Sequence, residues 1–147
     1  HTNDAPGAVA RLTEMGIEPF LTASSVIGVL AQRLVRSICP RCKEAYTPPL
    51  EAFRRLNFPV EMEQITFYRG AGCQSCRQTG YKGRIGVYEL MSIDNDIREL
   101  ILRKTPTHVI RQAALDNGMI SLKQDSIEKI LQGVTTMEEA LRVIYAE

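Results

Sequence analysis

The sequence predicts an α+β fold, mostly helical, within 147 residues. Three observations carry that prediction. Apolar residues recur at three- and four-residue steps between capping residues and glycine stops over most of the chain. One stretch, RIGVYEL at residues 84–90, alternates instead with period two. All four cysteines fall into two C-x2-C pairs, Cys39 with Cys42 and Cys73 with Cys76, thirty residues apart, a spacing that belongs to neither helix nor strand.

The elements follow in order. Asp4 can cap a helix whose first turn holds Pro6, with Ala8, Val9 and Leu12 as its apolar stripe and Gly16 as its left-handed stop, so residues 5–15 are expected to be helical. Beyond Pro19, Ala23, Val26, Ile27, Leu30, Leu34 and Ile38 recur at helical steps, and a long helix is expected from about 21 to 37. Pro48 and Pro49 open LEAFRRLNF, a short amphipathic helix with Phe53 and Leu56 inward. ITFYR reads as a strand, and RIGVYEL, with Ile85, Val87 and Leu90 on its apolar side, reads as an edge strand paired with it.

From Ser92 the period is helical again. Ile97, Leu100 and Ile101 share one face. Thr105 caps and Gly118 stops the next helix, while Leu122, Ile127, Ile130 and Leu131 precede Gly133. Thr136 with Glu139 offers a capping box before Leu141 and Ile144. The expected division is 1–38, 39–91 and 92–147, the last a bundle of four short helices.

Composition excludes little. Hydrophobic residues make up 44% of the chain, enough for a core, and 18 basic residues against 17 acidic ones give no net field that would favour nucleic acid or an anionic membrane. The longest apolar stretch is about a dozen residues, too short for direct membrane insertion. The opening HTNDAPG has neither initiator methionine nor signal region and reads as the interior of a longer protein.

The cysteines carry the chemistry. Two residues between ligands form a tight knuckle that aims both sulfurs at one ion, and two knuckles close a tetrahedron, the pattern of a zinc ribbon. Four thiolates leave no position for water, so the metal is expected to be structural; iron in the same ligand set is the next choice. Disulfides would not require the repeated spacing, and a redox pair would need one C-x2-C on a βαβ unit. Lys82 and Arg84 can be solvated, be stacked near the thiolates, or bind nucleic acid; without aromatic residues interleaved in a sustained basic run, no nucleic acid is expected. His108 reads as an ordinary helix residue. No G-x-x-x-x-G-K-[ST] loop and no Ser-His-Asp or paired-carboxylate set is present, so no residue is expected to be catalytic.

HTNDAPGAVARLTEMG, LAQRLVRSICPRCKEAY, GCQSCRQTGYKGRIGVYEL and GVTTMEEALRV, taken together and in that order, resemble the C-terminal part of the ATPases that drive type II secretion and type IV pilus assembly. The resemblance spans essentially the whole chain. It implies that 1–38 is the C-terminal remnant of a RecA-like ATPase core, represented here by helices. The four cysteines would hold the family's zinc subdomain, with a short β-hairpin, and the final helices would be its C-terminal bundle. It also implies two nucleotide-binding residues, His1 from the family's His box near the phosphates and Arg33 in AQRL beside the nucleotide. ATP and magnesium would be cofactors of the full-length protein only, since the chain lacks the phosphate-binding loop. The whole protein would be a cytoplasmic homo-hexamer, peripheral to the bacterial inner membrane through platform partners that Tyr81, Lys82 and Arg84 could touch. The competing expectation is a free-standing zinc ribbon that binds nucleic acid or protein.

Overall fold

The structure, a computed structural model, describes residues 2–58 and 65–145. Its fold is mixed α and β, with seven helices and two small two-stranded sheets among the described residues. In chain order the elements are α1 (Ala5–Glu14), α2 (Pro19–Ser25), β1 (Gly28–Ile38), β2 (Lys43–Tyr46), α3 (Leu50–Leu56), β3 (Phe67–Gly70), β4 (Tyr81–Ser92), α4 (Asn95–Leu102), α5 (Thr107–Asp116), α6 (Leu122–Leu131) and α7 (Met137–Ile144). No helix among the described residues is long and apolar enough to cross a membrane.

The largest departure from expectation is the helix over 21–37, which is not there. A two-turn helix ends at Ser25 and an eleven-residue strand, β1, follows. Val29, Ala31 and Val35 face inward at two-residue steps, whereas Leu30 and Leu34, central to the helical reading, are exposed. The stretch from Val26 to Ile38 is rich in β-branched residues, which suit a pleated surface better than a helix turn. Its partner is β4, and not the strand before the second knuckle. The backbone bonds Ile93 N to Ile27 O (3.0 Å) and Cys39 N to Gly80 O (2.9 Å) lie at opposite ends of the ladder and make it antiparallel. The expected partner, β3, pairs with β2. Within β4 the inward residues are Val87, Glu89 and Met91, so Leu90 lies on the outer face.

Two compact units result, each built from two stretches of chain, and β1 and β4 run through both. The expected order of three consecutive segments is therefore cut across. The four tail helices do not form one bundle: α4 and α5 belong to one unit, α7 and all but the first residue of α6 to the other. The apolar faces of α4 and α5 pack on α2 and α1, which precede the cysteines, and that of α7 packs on α3, between the two cysteine pairs.

The first unit, up to Gln32 and again from Tyr88 to Leu122, packs Val9, Ala23, Met91, Ile93, Ile97, Ile101, Ile110 and Ala114 into one core. The i, i+4 pairs Ile97/Ile101 and Ile110/Ala114 supply the core faces of α4 and α5. Asp4 caps α1 as expected, accepting from Gly7 N at 2.8 Å, and also pairs with Arg111. Asp94 caps α4 in the same way through Ile97 N at 2.9 Å. Thr105 does not cap α5; the helix starts after Pro106, whose fixed φ already suits the turn. Glu89 is 1% exposed and accepts from Ala5 N at 2.9 Å and Leu122 N at 3.1 Å, the first residues of α1 and α6. One carboxylate thus holds two helix starts against a strand, where aligned peptide dipoles favour a negative charge.

The second unit, from Arg33 to Val87 and from Lys123 onward, has its apolar core in Ala52, Leu56, Phe67, Ile130, Met137, Ala140 and Leu141. The edge-on rings of Phe53, Phe58 and Phe67 lie 5.3–5.8 Å apart beside it. Thr136 caps α7 through Glu139 N at 3.1 Å. Glu139 turns its carboxylate to β1, where it takes Arg36 N at 2.9 Å and the Arg36 guanidinium at 2.9 and 3.1 Å, and it also binds Arg142 at 2.6 and 3.1 Å. The Arg36 guanidinium also lies 4.2 Å over the ring of Tyr81, whose hydroxyl meets Thr136 Oγ1 at 2.6 Å. This network joins β1, β4 and the start of α7. Burial alone would raise the pKa of Glu139, but the hydrogen bonds from Arg142 and Arg36 outweigh it and bring the value down from 4.5 to about 2.

Two predictions follow from these carboxylates. Glu89→Ala should cost about 2–4 kcal/mol in urea denaturation, because it leaves two buried helix-start N–H groups without an acceptor. Glu139 is ionised more readily in the fold than in the unfolded chain, so its contribution is complete above pH 4.5 and is lost as pH falls through about 2. The stability gap between the wild type and Glu139→Gln should therefore be constant from pH 7 to 5 and close progressively in stronger acid. A gap that widens in acid would contradict the assignment.

Candidate metal centre

The two ribbons end at the same place. β1 stops at Ile38, one residue before Cys39, and β4 starts at Tyr81, just after the second knuckle; Cys39 N donates to Gly80 O. β2 leaves Cys42 directly, and β3 enters the second knuckle in the register Lys43↔Gly70 to Tyr46↔Phe67. Ala71 N continues that ladder to Cys42 O at 3.0 Å. Each knuckle is thus entered from one ribbon and left by the other.

Glycine permits the approach. A methyl group on Gly70 or on Gly80 would overlap the backbone of the other, and Gly80 holds φ +80°. Cys73 opens a single 3-10 turn at Gln74–Cys76, after which Arg77 and Gln78 both take left-handed backbone, at φ 55° and 64°. The reversal is closed by Gln78 N to Cys73 O at 2.8 Å. Two consecutive non-glycine residues in that region are uncommon, and such backbone persists where the surroundings fix it.

Here the four sulfurs converge. Cys39 and Cys73 are 3.9 Å apart, Cys42 and Cys76 3.8 Å, Cys73 and Cys76 3.7 Å, and all four lie within 4.8 Å of one another. None is joined to another; a disulfide would need about 2.05 Å. A tetrahedron of sulfurs each about 2.3 Å from a central ion has edges of about 3.8 Å, so the donor set fits a tetrathiolate metal. Backbone amides already face the thiolates: Gly80 N and Cys73 N lie 3.2 and 3.3 Å from Cys76 Sγ, and Gly72 N 3.4 Å from Cys42 Sγ. Against the upward push of burial, the amides of Cys73 and Gly80 bring Cys76 down to about 6, and those of Arg41 and Cys42 lower Cys39. Burial prevails at Cys42, which rises to about 12. The cluster thus favours negative charge at Cys39 and Cys76 and retains on Cys42 a proton that a cation would displace.

The structure brings together all four predicted cysteines. Arg33 lies half-buried on β1 rather than on a helix, and His1 falls outside the described residues. Tyr81 is not an open contact residue; Arg36 and Thr136 occupy its ring face and hydroxyl. Lys82 and Arg84 are exposed, with Lys82 Nζ 2.9 Å from Ser75 Oγ. Residue-by-residue reading missed Arg36, Gly70 and Glu89. A polar residue on the buried side of an alternation was the available signal for Glu89.

Comparison with known proteins gives a single answer. The family model for Type II/IV secretion system protein matches residues 1–142. The type II secretion system protein E of Pseudomonas aeruginosa is 47% identical over 147 residues, all of this chain and 29% of the relative. The type IV pilus assembly ATPase TfpB of Acinetobacter baylyi is 45% identical over 98% of this chain and 25% of the relative. The type II secretion system ATPase E of Vibrio cholerae is 44% identical over 97% of this chain and 28% of its own length. The chain therefore spans between a quarter and a third of the length of these relatives.

Proposed function

The chain belongs to the Type II/IV secretion system protein family, and from that premise we propose that it is the C-terminal, metal-braced part of a longer ATPase that powers type II secretion or type IV pilus assembly. The observation that carries the proposal is the tetrahedral spacing of the four sulfurs within a chain that matches the family almost end to end. Cys39, Cys42, Cys73 and Cys76 hold a structural zinc ion. The ion fixes the crossing of the two ribbons and has no place in bond-making. The stretch up to Gln32 completes a RecA-like core, and His1 and Arg33 approach the nucleotide. The phosphate-binding loop and the magnesium site lie elsewhere in the longer protein. That protein works as a cytoplasmic hexamer and passes its motion to inner-membrane platform proteins.

In this reading the lobe around the knuckles must be stiff, since a soft lobe would absorb the displacement instead of transmitting it. The registers that stiffen it are present: β2 on β3, Cys39 on Gly80, and Ile38 N on Val134 O at 2.9 Å.

Metal analysis of the purified chain should give one zinc per chain. Removing the metal with a chelator, or Cys73→Ser, should lower Tm by about 10 °C or more, as the loss of a structural site in a small unit does. Unchanged Tm in the metal-free chain would remove the stiffening role. In the full-length protein, Cys73→Ser should abolish secretion or piliation, and the isolated chain should hydrolyse ATP no faster than a buffer blank. Hydrolysis by the isolated chain would overturn the division of labour.

A further inference from the structure

Charge in this chain is balanced overall but not locally. Residues 39–43 and 69–84, the two stretches that form the knuckles, contain six basic residues and no acidic one. Two of the six are engaged: Arg69 pairs with Glu44 at 3.0 Å, and Lys43 lies 4.6 Å over the ring of Tyr68. Arg41, Arg77, Lys82 and Arg84 are exposed and make no ion pair among the described residues.

Neutralising the metal site does not account for them. A divalent ion with four thiolates carries two net negative charges, and backbone amides already face the sulfurs. Four outward cations exceed that demand and point to a ligand outside the chain.

We propose that Arg41, Arg77, Lys82 and Arg84 form a docking surface for a carboxylate-rich segment of a partner protein. The proposal rests on the reading above only in taking that partner to belong to the secretion or pilus machinery. Three features favour a peptide over the other polyanions. The cations stand on fixed backbone: Arg41 lies between two ligands, Arg77 follows a third in left-handed conformation, and Lys82 is tied to Ser75. Fixed guanidinium forks select planar carboxylates at set spacing, whereas a fluid lipid surface needs no such register. No large apolar side chain is exposed within the two stretches, so nothing there enters an acyl layer. No aromatic ring is exposed there for a base to stack on.

The test uses the zinc-loaded chain and a fluorescent twelve-residue peptide of alternating Glu and Gly, read by anisotropy against its Gln counterpart. Phosphatidylglycerol vesicles and a single-stranded oligonucleotide serve as competing probes. The acidic peptide should bind, and Arg41→Gln/Arg77→Gln/Lys82→Gln/Arg84→Gln should weaken it about tenfold or more. A control with the same charge removed elsewhere, Arg54→Gln/Arg55→Gln/Arg103→Gln/Lys104→Gln, should weaken it less than about threefold. Zinc content and Tm should be unchanged in both. Equal losses in the two variants, no binding of the peptide, or preference for vesicles or oligonucleotide would overturn the proposal. In the full-length protein the first variant should impair secretion or piliation while ATP hydrolysis continues. If deleting the whole gene leaves both processes intact, the family-based reading fails, and peptide binding is judged separately.

Discussion

The second unit is organised by one geometric demand: four sulfurs from two distant knuckles must meet at a single point. Cys42 and Cys73 are separated by thirty residues, and closing a loop of that size costs chain entropy that grows slowly with length. The β2–β3 ladder is only four pairs long, and a two-stranded ribbon of that size is marginal by itself. The close passage of Gly70 and Gly80 brings the ribbons together but offers little attraction, because neither residue has a side chain. Metal–sulfur bonds at the crossing, as proposed, would make the remaining contacts worth ordering.

Two buried carboxylates meet a similar demand in different ways. Glu89, in the first unit, accepts from the opening amides of two helices. Glu139, in the second, is held by two arginines and a strand amide. Burial penalises each charge, and an ion or dipole partner offsets the penalty only where the hydrogen bonds are complete. Each carboxylate has both oxygens engaged. Each also joins elements far apart in sequence, a task that an apolar side chain of the same volume could not perform with comparable directional specificity.

How far the sequence revealed this depends on distance along the chain. The C-x2-C pairs, the caps Asp4 and Thr136 and the stops Gly16, Gly118 and Gly133 act within a few residues, and the structure shows those features where the pattern puts them. β1 was misread because Leu30, Leu34 and Ile38 fit a helical stripe while Val29, Ala31 and Val35 fit a strand in the same residues. Local pattern alone did not settle the choice; it depends on β4, some fifty residues away. The pairing of β2 with β3 has the same origin. Glu139 was legible as a helix-start residue, but its grip on Arg36 crosses 103 residues and leaves no local signature.

The metal site also bears on what the lobe's surface can be. The burial pattern of β2 is almost wholly exposed, and among the described residues between Ile38 and Phe67 the buried apolar side chains other than cysteine are Pro48 and, on α3, Ala52 and Leu56, none of them at the knuckles. Apolar area near the knuckles is too small for burial alone to hold their backbone in place. Four metal–sulfur bonds, as proposed, would take over that task and release the outward side chains from packing. A surface held together by its own side chains has to retain them; one held from behind by an ion can carry arginine and lysine wherever recognition needs them.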